Sequence, residues 1–581
     1  MKIAKFSLKT KNSKTTAIFF VMIFGIFLFR SYNLDADLPS WGMTTYQPID
    51  EGQYVMMAIN EIEYGTWRPD TVDLDVNYYT PEHMRNNVIG NVIAYVGLKV
   101  FGDNYYGIRM GSVLLGFINF GLFIMILFEL KKKYGSGNRR ELLFIMGISL
   151  YTVTEFTFLI ASRVVEPSIL RMLFINLTIY LFLKLKEGSY SKYFLLGFLS
   201  VLSVFAVYIT NIFLVLAIGL FVLLKLIKND KSNFFMSFFG FGSGSAFAYL
   251  LCELYYYFGW GSSSIINTFN IFKSFSGVSK YVANPSLINS FRYFLTNFNL
   301  YNAIIFVIFI ICLPIFVAKA VQTKDEFMSL LIVLYVVFFL QTMVVDDYIQ
   351  RKFIIMLPLV FFVIFITLLT TDKGKFTVLL EKPLFKLVFG SYVLAVVVFA
   401  SLIIYFRLYL INDLTHNDFS SLNKILLLTQ IPVLFLMFIN IVLNFHKHKQ
   451  INKTIFRTIL IGVGFNMALN FYFDSAYVWF NRSYSEKNAM IEIGKIANDQ
   501  HVYGIFSTGY TLYNTIKPVN NSAEELDLML IDRIPAYYLD YQPEKLIFTK
   551  YQFIELCEYE RVYTTFGLHK NIFLYKTENV R

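Results

Sequence analysis

The sequence predicts an all-α polytopic membrane protein of about thirteen transmembrane helices, closed by a small C-terminal α/β domain. Three observations predict it. Of the 581 residues, 56% are hydrophobic and 18% aromatic, and only 16% are charged. Soluble domains carry about 25% charged residues, so a soluble globular chain and a disordered one are both excluded. Apolar runs near the length needed to cross a bilayer recur from residue 15 to residue 474. Basic clusters fall on every second connection between them. Three cysteines, Cys252, Cys312 and Cys557, exclude a disulfide scaffold and a thiolate metal cluster.

The first run covers residues 15 to 29, after Lys2, Lys5, Lys9, Lys11 and Lys14. The following RSYNLDADLPSW offers no small-x-small cleavage site, so the run reads as an uncleaved anchor and not as a signal peptide. Further runs lie near 110–130, 141–162, 166–185, 193–209, 211–228, 233–258, 301–321, 327–345, 353–371, 386–407, 423–445 and 455–474. The basic loops include Lys131-Lys132-Lys133 with Arg139-Arg140, Lys184 with Lys186, and Lys225 with Lys228. They recur at Lys373 with Lys375, and at Lys447, Lys449 and Lys453. By the positive-inside rule that face is cytoplasmic, in the inner (cytoplasmic) membrane of a cell. The N-terminus is then cytoplasmic and, with an odd number of spans, the C-terminal domain is extracytoplasmic. This topology accounts for the net charge of +11 without a nucleic-acid partner.

The cytoplasmic loops are short and contain no GxxxxGK[ST], so they offer no nucleotide-binding domain. The long segments are 31–109, 259–300 and everything after 474, all on the outer side. The expected division is a transmembrane catalytic domain over 1–474 and an extracytoplasmic α/β domain over 475–581. In the latter, SEKNAMIEIGKIAND has helical spacing, and HVYGIF, DLMLID, KLIFT and NIFLYKT read as short strands.

The first outer loop carries the most information. PIDEGQYVMMAINEIEYG predicts an amphipathic helix with Asp50 as N-cap, Tyr54, Val55, Ala58 and Ile62 along an apolar face, and Gly65 as the stop. A second helix is expected from Thr80 as N-cap and Pro81 at the first position through to Phe101-Gly102. Both are read as lying in the membrane interface. Asp50 and Glu51 then stand at a helix start beside the end of the first span. Acids favour that position for electrostatic reasons alone.

Those residues also carry a resemblance. DEGQYVMMAINEIEYGTWRPD resembles the first-loop signature of the GT-C glycosyltransferases that use lipid-phosphate sugars, the protein O-mannosyltransferases and lipid A aminoarabinose transferases among them. Asp50, Glu51, Tyr54, Ala58, Gly65 and Pro69 match it in order. Phe101, Gly102, Arg109 and Gly111 match the next block, Glu166 and Pro167 a second-loop block, and Arg351, Lys352 and Pro358 a late one. The resemblance runs over residues 15–370. It departs at NYYTPEHMRNN, where the family often has paired prolines and this chain has Pro81 alone, and at Glu166, where many relatives have Asp.

The resemblance implies a GT-C fold and an inverting transfer of a sugar from a polyprenyl phosphate to a hydroxyl. The acceptor is a cell-envelope glycan, a lipid or a protein on the outer face. Asp50 is the expected general base, and Glu51 and Glu166 complete the catalytic set. The leaving lipid phosphate needs fixed cations, for which Arg351, Lys352 and Arg163 stand at outer ends of spans, where snorkelling is the competing reading. Tyr54, Glu82, His83, Arg85 and Tyr348 are expected around the substrate cavity. No cofactor is called for. Glu82-His83 and the paired acids leave a divalent metal open, although no HExxH occurs. The alternative is a lipid-linked oligosaccharide flippase or polymerase, or another polytopic carrier. Such a protein needs ionisable residues inside the membrane, for which Arg171 and Glu253 are the visible candidates.

Overall fold

The computed structural model describes residues 13–36, 49–68, 87–137, 139–165, 167–186, 188–227, 231–260, 263–265, 302–344, 354–370, 383–409, 421–445, 451–480, 484–504, 507, 511–519, 537–540, 551–562 and 569–579. Hydrophobic runs become helices, as expected of segments whose backbone polar groups have no water to turn to. The first, α1, is Ser13–Ser31. The long loop after it holds α2 (Ile49–Tyr64) and α3 (Val88–Phe101). The bundle continues through α4 (Tyr105–Tyr134), α5 (Arg139–Thr154), α6 (Phe156–Arg163), α7 (Pro167–Lys184), α8 (Tyr190–Ala206), α9 (Ile212–Ile227) and α10 (Lys231–Trp260). It resumes with α11 (Ala303–Thr323), α12 (Glu326–Val344), α13 (Leu357–Thr370), α14 (Pro383–Tyr409), α15 (Ser421–Leu428), α16 (Gln430–Phe445) and α17 (Ile451–Ser475).

This is a multi-pass membrane protein. Among the described residues seven helical stretches are long and apolar enough to cross a bilayer, and α5 with α6 makes an eighth, bent by 54°. The expected count of about thirteen is not reached on length and composition. α1, α8, α12 and α13 are apolar but shorter over their described residues. The helices enclose one continuous apolar core, with Phe123, Tyr151, Ile175, Phe309 and Phe362 among its buried members. The lipid side of α10 exposes Phe235, Phe239, Phe247 and Phe258 instead.

The ends of the bundle differ. Lys133 with Asp325 (3.2 Å), Lys184 with Glu129 (2.6 Å) and Lys225 with Glu326 (2.9 Å) pair at the ends of α4, α7 and α9 and the start of α12. The opposite end carries the loop helices and the C-terminal domain. There α18 (Ser485–Ala497) precedes β1 (His501–Tyr503), β2 (Lys517–Val519), β3 (Tyr537–Asp540), β4 (Tyr551–Val562) and β5 (His569–Asn579). The sheet order is β2-β1-β3-β5-β4. β1 runs parallel to β2 and β3, and β5 runs antiparallel to β3 and β4. The helix and the strands at 501–503 and 571–577 meet expectation, whereas DLMLID and KLIFT lie outside the described residues.

A second apolar cluster positions the site. Val55, Ala58 and Ile59 of α2, Ala94 and Leu98 of α3 and Tyr105 and Ile108 of α4 share it with Met490, Ile493, Leu512, Leu539 and Leu574 of the C-terminal domain. The apolar stripe of α2 therefore meets protein. α3 turns Val92, Val96 and Val100 outward.

Candidate active site around the start of the second helix

Why α2 sits where it does follows from glycines and asparagines. α3 and α4 form a tight hairpin. A Cβ at Gly97 would meet the Gly107 carbonyl oxygen at 2.3 Å, and one at Gly111 would meet the Ile93 side chain at 2.6 Å. No larger residue permits that approach. Asn87 Nδ2 donates to the Tyr54 carbonyl (3.1 Å), and Asn91 Oδ1 accepts from the Ala58 amide (3.2 Å). Two buried asparagines thus stitch α2 to α3 through backbone groups. The stop at Gly65 is as expected, with φ +67°. The helix begins at Ile49, one residue before the expected cap.

Glu51 is 1% exposed and bound on both oxygens. Arg109 donates from Nε to Oε1 (3.0 Å) and from Nη2 to Oε2 (2.6 Å), a bidentate fork. The Val165 amide donates to Oε1 at 3.3 Å. One carboxylate therefore joins the start of α2, the second turn of α4 and the joint between α6 and α7. Arg109 itself lies over the Tyr105 ring, 3.9 Å from its centroid, and gives Nη1 to the carbonyls of Leu34 (2.6 Å) and Ala36 (2.7 Å). Beside these groups lies a small cleft lined by Asn87, Gly90, Ile93, Ser112, Leu115, Val165, Ile169 and Leu170.

The remaining expected site residues fall as follows. Asp50 is the second residue of α2, next to Glu51 in the chain. Tyr54 is buried one turn further on, its ring 6.3 Å from that of Tyr208. Arg163 is buried, and it donates Nη1 to the carbonyls of Arg30 (2.7 Å) and Tyr32 (2.9 Å) and Nη2 to that of Asn33 (2.7 Å). It fixes the turn after α1. Glu82, His83, Arg85, Glu166, Tyr348, Arg351 and Lys352 lie outside the described residues. Glu166 directly follows Val165, whose amide touches Glu51.

Two further features lie nearby, the first singled out by the sequence only as a charge within a span and the second missed. Arg171, on the first turn and a half of α7, donates to Asn211 Oδ1 (3.0 Å) and faces the Tyr208 ring at 5.9 Å, next to Tyr54. Its signal was visible, an arginine in an apolar run. The second feature is a buried polar cluster at the bend between α5 and α6. Glu155 caps α6 through the amides of Thr157 (3.0 Å) and Phe158 and accepts from Asn302 Nδ2, while Arg30 Nη2 donates to its carbonyl (3.0 Å). Asp474 is buried with them and interacts with the Arg30 charge.

At the far end of α2, the Glu63 carboxyl oxygens are shut off from water. Burial, and then the neighbouring Asp103, push the pKa of Glu63 up to about 8, against a smaller opposite pull from Tyr64. Burial also raises Asp103. Among the described residues no three His, Cys, Asp or Glu gather as a metal site.

No protein-family model matches the sequence, and no curated protein matches it. Solved structures do match in fold. The crystal structure of ArnT from Cupriavidus metallidurans bound to undecaprenyl phosphate superposes with a TM-score of 0.52 at 13% identity, covering 97% of this chain and 98% of that one. The apo state of the same protein gives 0.50 at the same identity and coverage. The likeness spans both the bundle and the C-terminal domain, so the chain shares the overall fold of those structures over nearly its whole length.

Proposed function

We propose that the chain is an integral-membrane glycosyltransferase. It moves a sugar from a polyprenyl-phosphate donor to a hydroxyl of an envelope glycan, lipid or protein, on the outer face of the inner membrane. The observation that carries this reading is the buried Glu51–Arg109 fork. It sits at the Asp-Glu pair of the first-loop motif, in a fold shared over nearly its full length with a protein holding undecaprenyl phosphate.

The fork also divides the labour between the two acids. Both Glu51 oxygens are engaged, so Glu51 positions and does not accept a substrate proton. Asp50 is left as the general base. The acceptor oxygen attacks the anomeric carbon and its proton passes to the Asp50 carboxylate. The bond between that carbon and the phosphate oxygen breaks, and the electron pair leaves with the polyprenyl phosphate. Inversion follows from the single displacement. Arg351 and Lys352 are assigned to the phosphate, with Glu166, Tyr54, Glu82, His83, Arg85 and Tyr348 around the donor and acceptor. Arg163 is a weaker phosphate candidate, because its described bonds go to backbone carbonyls. Basic residues at the opposite end of the bundle support an outward-facing site and C-terminal domain.

The test is lipid retention by the purified full-length protein in nanodiscs, read by native mass spectrometry with undecaprenyl phosphate and undecaprenol. Selective retention of the phosphate is expected. Equal retention of both lipids overturns the donor assignment. One observation favours the second reading, a carrier: the charged cluster at the bent α5–α6 span, where intramembrane acids and arginines mark transport paths in many proteins. Movement of a labelled lipid-linked sugar across proteoliposomes, without transfer, would establish it.

A further inference from the structure

The turn that follows α1 is gripped from three sides. Arg163 of α6 holds the carbonyls of Arg30, Tyr32 and Asn33, and Arg109 of α4 holds those of Leu34 and Ala36. The third grip comes from the C-terminal domain. Lys487 Nζ of α18 pairs with Asp35 Oδ2 at 3.0 Å, and Tyr513 donates its hydroxyl to Asp35 Oδ1 at 3.2 Å. The Tyr484 hydroxyl reaches the Asn33 side chain, and Asn33 itself stands in the left-handed region at φ +60°.

The same contacts reach the site. Asp35 Oδ1 also accepts from the Tyr106 amide (3.0 Å), and the Tyr513 hydroxyl accepts from the Tyr105 amide (3.0 Å). These are amides of the first turn of α4, which lack partners within the helix. Tyr105 is the ring on which the Arg109 guanidinium lies, and Arg109 is the fork that holds Glu51. A short chain of contacts therefore runs from Lys487 and Tyr513 through Asp35 and Tyr105 to Arg109 and Glu51. The Asp35–Lys487 pair is partly exposed, at 31% and 28% of the side chains, so it can open without unfolding the buried fork.

We infer that the C-terminal domain is a positioning element of the site. Lys487 and Tyr513 latch the turn at 32–36 and the start of α4, and so hold Arg109 where it presents the start of α2. Neither residue touches substrate. The kinetic part of this inference rests on the transferase reading; the structural part does not.

The test uses the full-length protein in nanodiscs, as wild type, Lys487→Arg and the double variant Lys487→Met with Tyr513→Phe. Hydrogen exchange of the amides at 54–60 is expected to rise about tenfold in the double variant, as a charge-assisted contact is lost. Exchange at 501–503 and 571–577, within the C-terminal sheet, is expected to stay at the wild-type level. For transfer from an undecaprenyl-phosphate sugar, kcat is expected to fall about tenfold at unchanged donor KM. Lys487→Arg, which keeps the charge on Asp35, is expected to leave both readouts at the wild-type level. Unchanged exchange at 54–60 in the double variant overturns the latch. So does a rise that the sheet amides share, which would mean that the domain has merely melted. If the wild type transfers nothing and the exchange result still holds, the latch stands and the transferase reading falls.

Discussion

Glu51 and Arg109 are the residues on which the site turns. Each is almost fully buried, at 1% and 0% side-chain exposure, and each satisfies the other in a fork only a guanidinium can form. Removing one partner of such a pair leaves a buried uncompensated charge. Arg109→Met is therefore expected to destabilise the protein in mild detergent by about 3–5 kcal/mol. Arg109→Met with Glu51→Gln should recover most of that loss, because no charge is then stranded, while activity stays low because the start of α2 is no longer held. A double-mutant cycle read by thermal unfolding checks this. Additive losses would mean that the fork is incidental. The sequence displayed Glu51 through its motif, but the fork spans 58 positions. Only the folding of α4 back beside α2 creates it, so spacing could not disclose it. Arg163 shows the converse. An arginine at the end of a span looked like a phosphate ligand, and what folding gives it is a turn of backbone carbonyls.

At the scale of elements, legibility followed periodicity and punctuation. α2 and its stop at Gly65 were visible because an apolar stripe and a left-handed glycine define them, and α18 was visible from its apolar stripe alone. The bend between α5 and α6 was not, since Glu155 reads as a lone charge in an apolar run until its side chain is seen capping the next helix. β4 was missed because its sequence, YQFIELCEYERV, is rich in charge and its strand character comes from pairing with β5. The end of α2 offers its own test. Glu63 has a folded pKa near 8, against 4.5 as its ordinary value. The folded state therefore binds a proton that the unfolded state has already lost, and stability falls as pH rises through that interval. The unfolding midpoint is expected to drop between pH 5 and pH 9 by the equivalent of roughly a few kcal/mol. Glu63→Gln should flatten that component. An unaltered pH slope in the variant would show that Glu63 carries no such proton.

At the scale of the whole molecule, two clusters of buried apolar residues divide the work. The larger fills the bundle, and the smaller binds the first-loop helices to the C-terminal domain. The composition made the bundle legible and the motif made the fold legible, and the ArnT structures share that fold over 97% of the chain at only 13% identity. The joining of loop and C-terminal domain was not legible, because Asp35 and Tyr513 are ordinary residues until 478 positions of intervening chain bring them together. In the proposed reaction Asp50, at the start of α2, takes the acceptor proton in a transfer from a polyprenyl phosphate. It is tested most directly in cells lacking this protein, complemented with wild type or Asp50→Asn at equal membrane levels. Mass spectrometry of polyprenyl-linked sugars and envelope glycans gives the readout. A lipid-linked sugar is expected to accumulate, and one glycan to lose that sugar, in the null strain and in the Asp50→Asn strain alike. A wild-type profile restored by Asp50→Asn would contradict it.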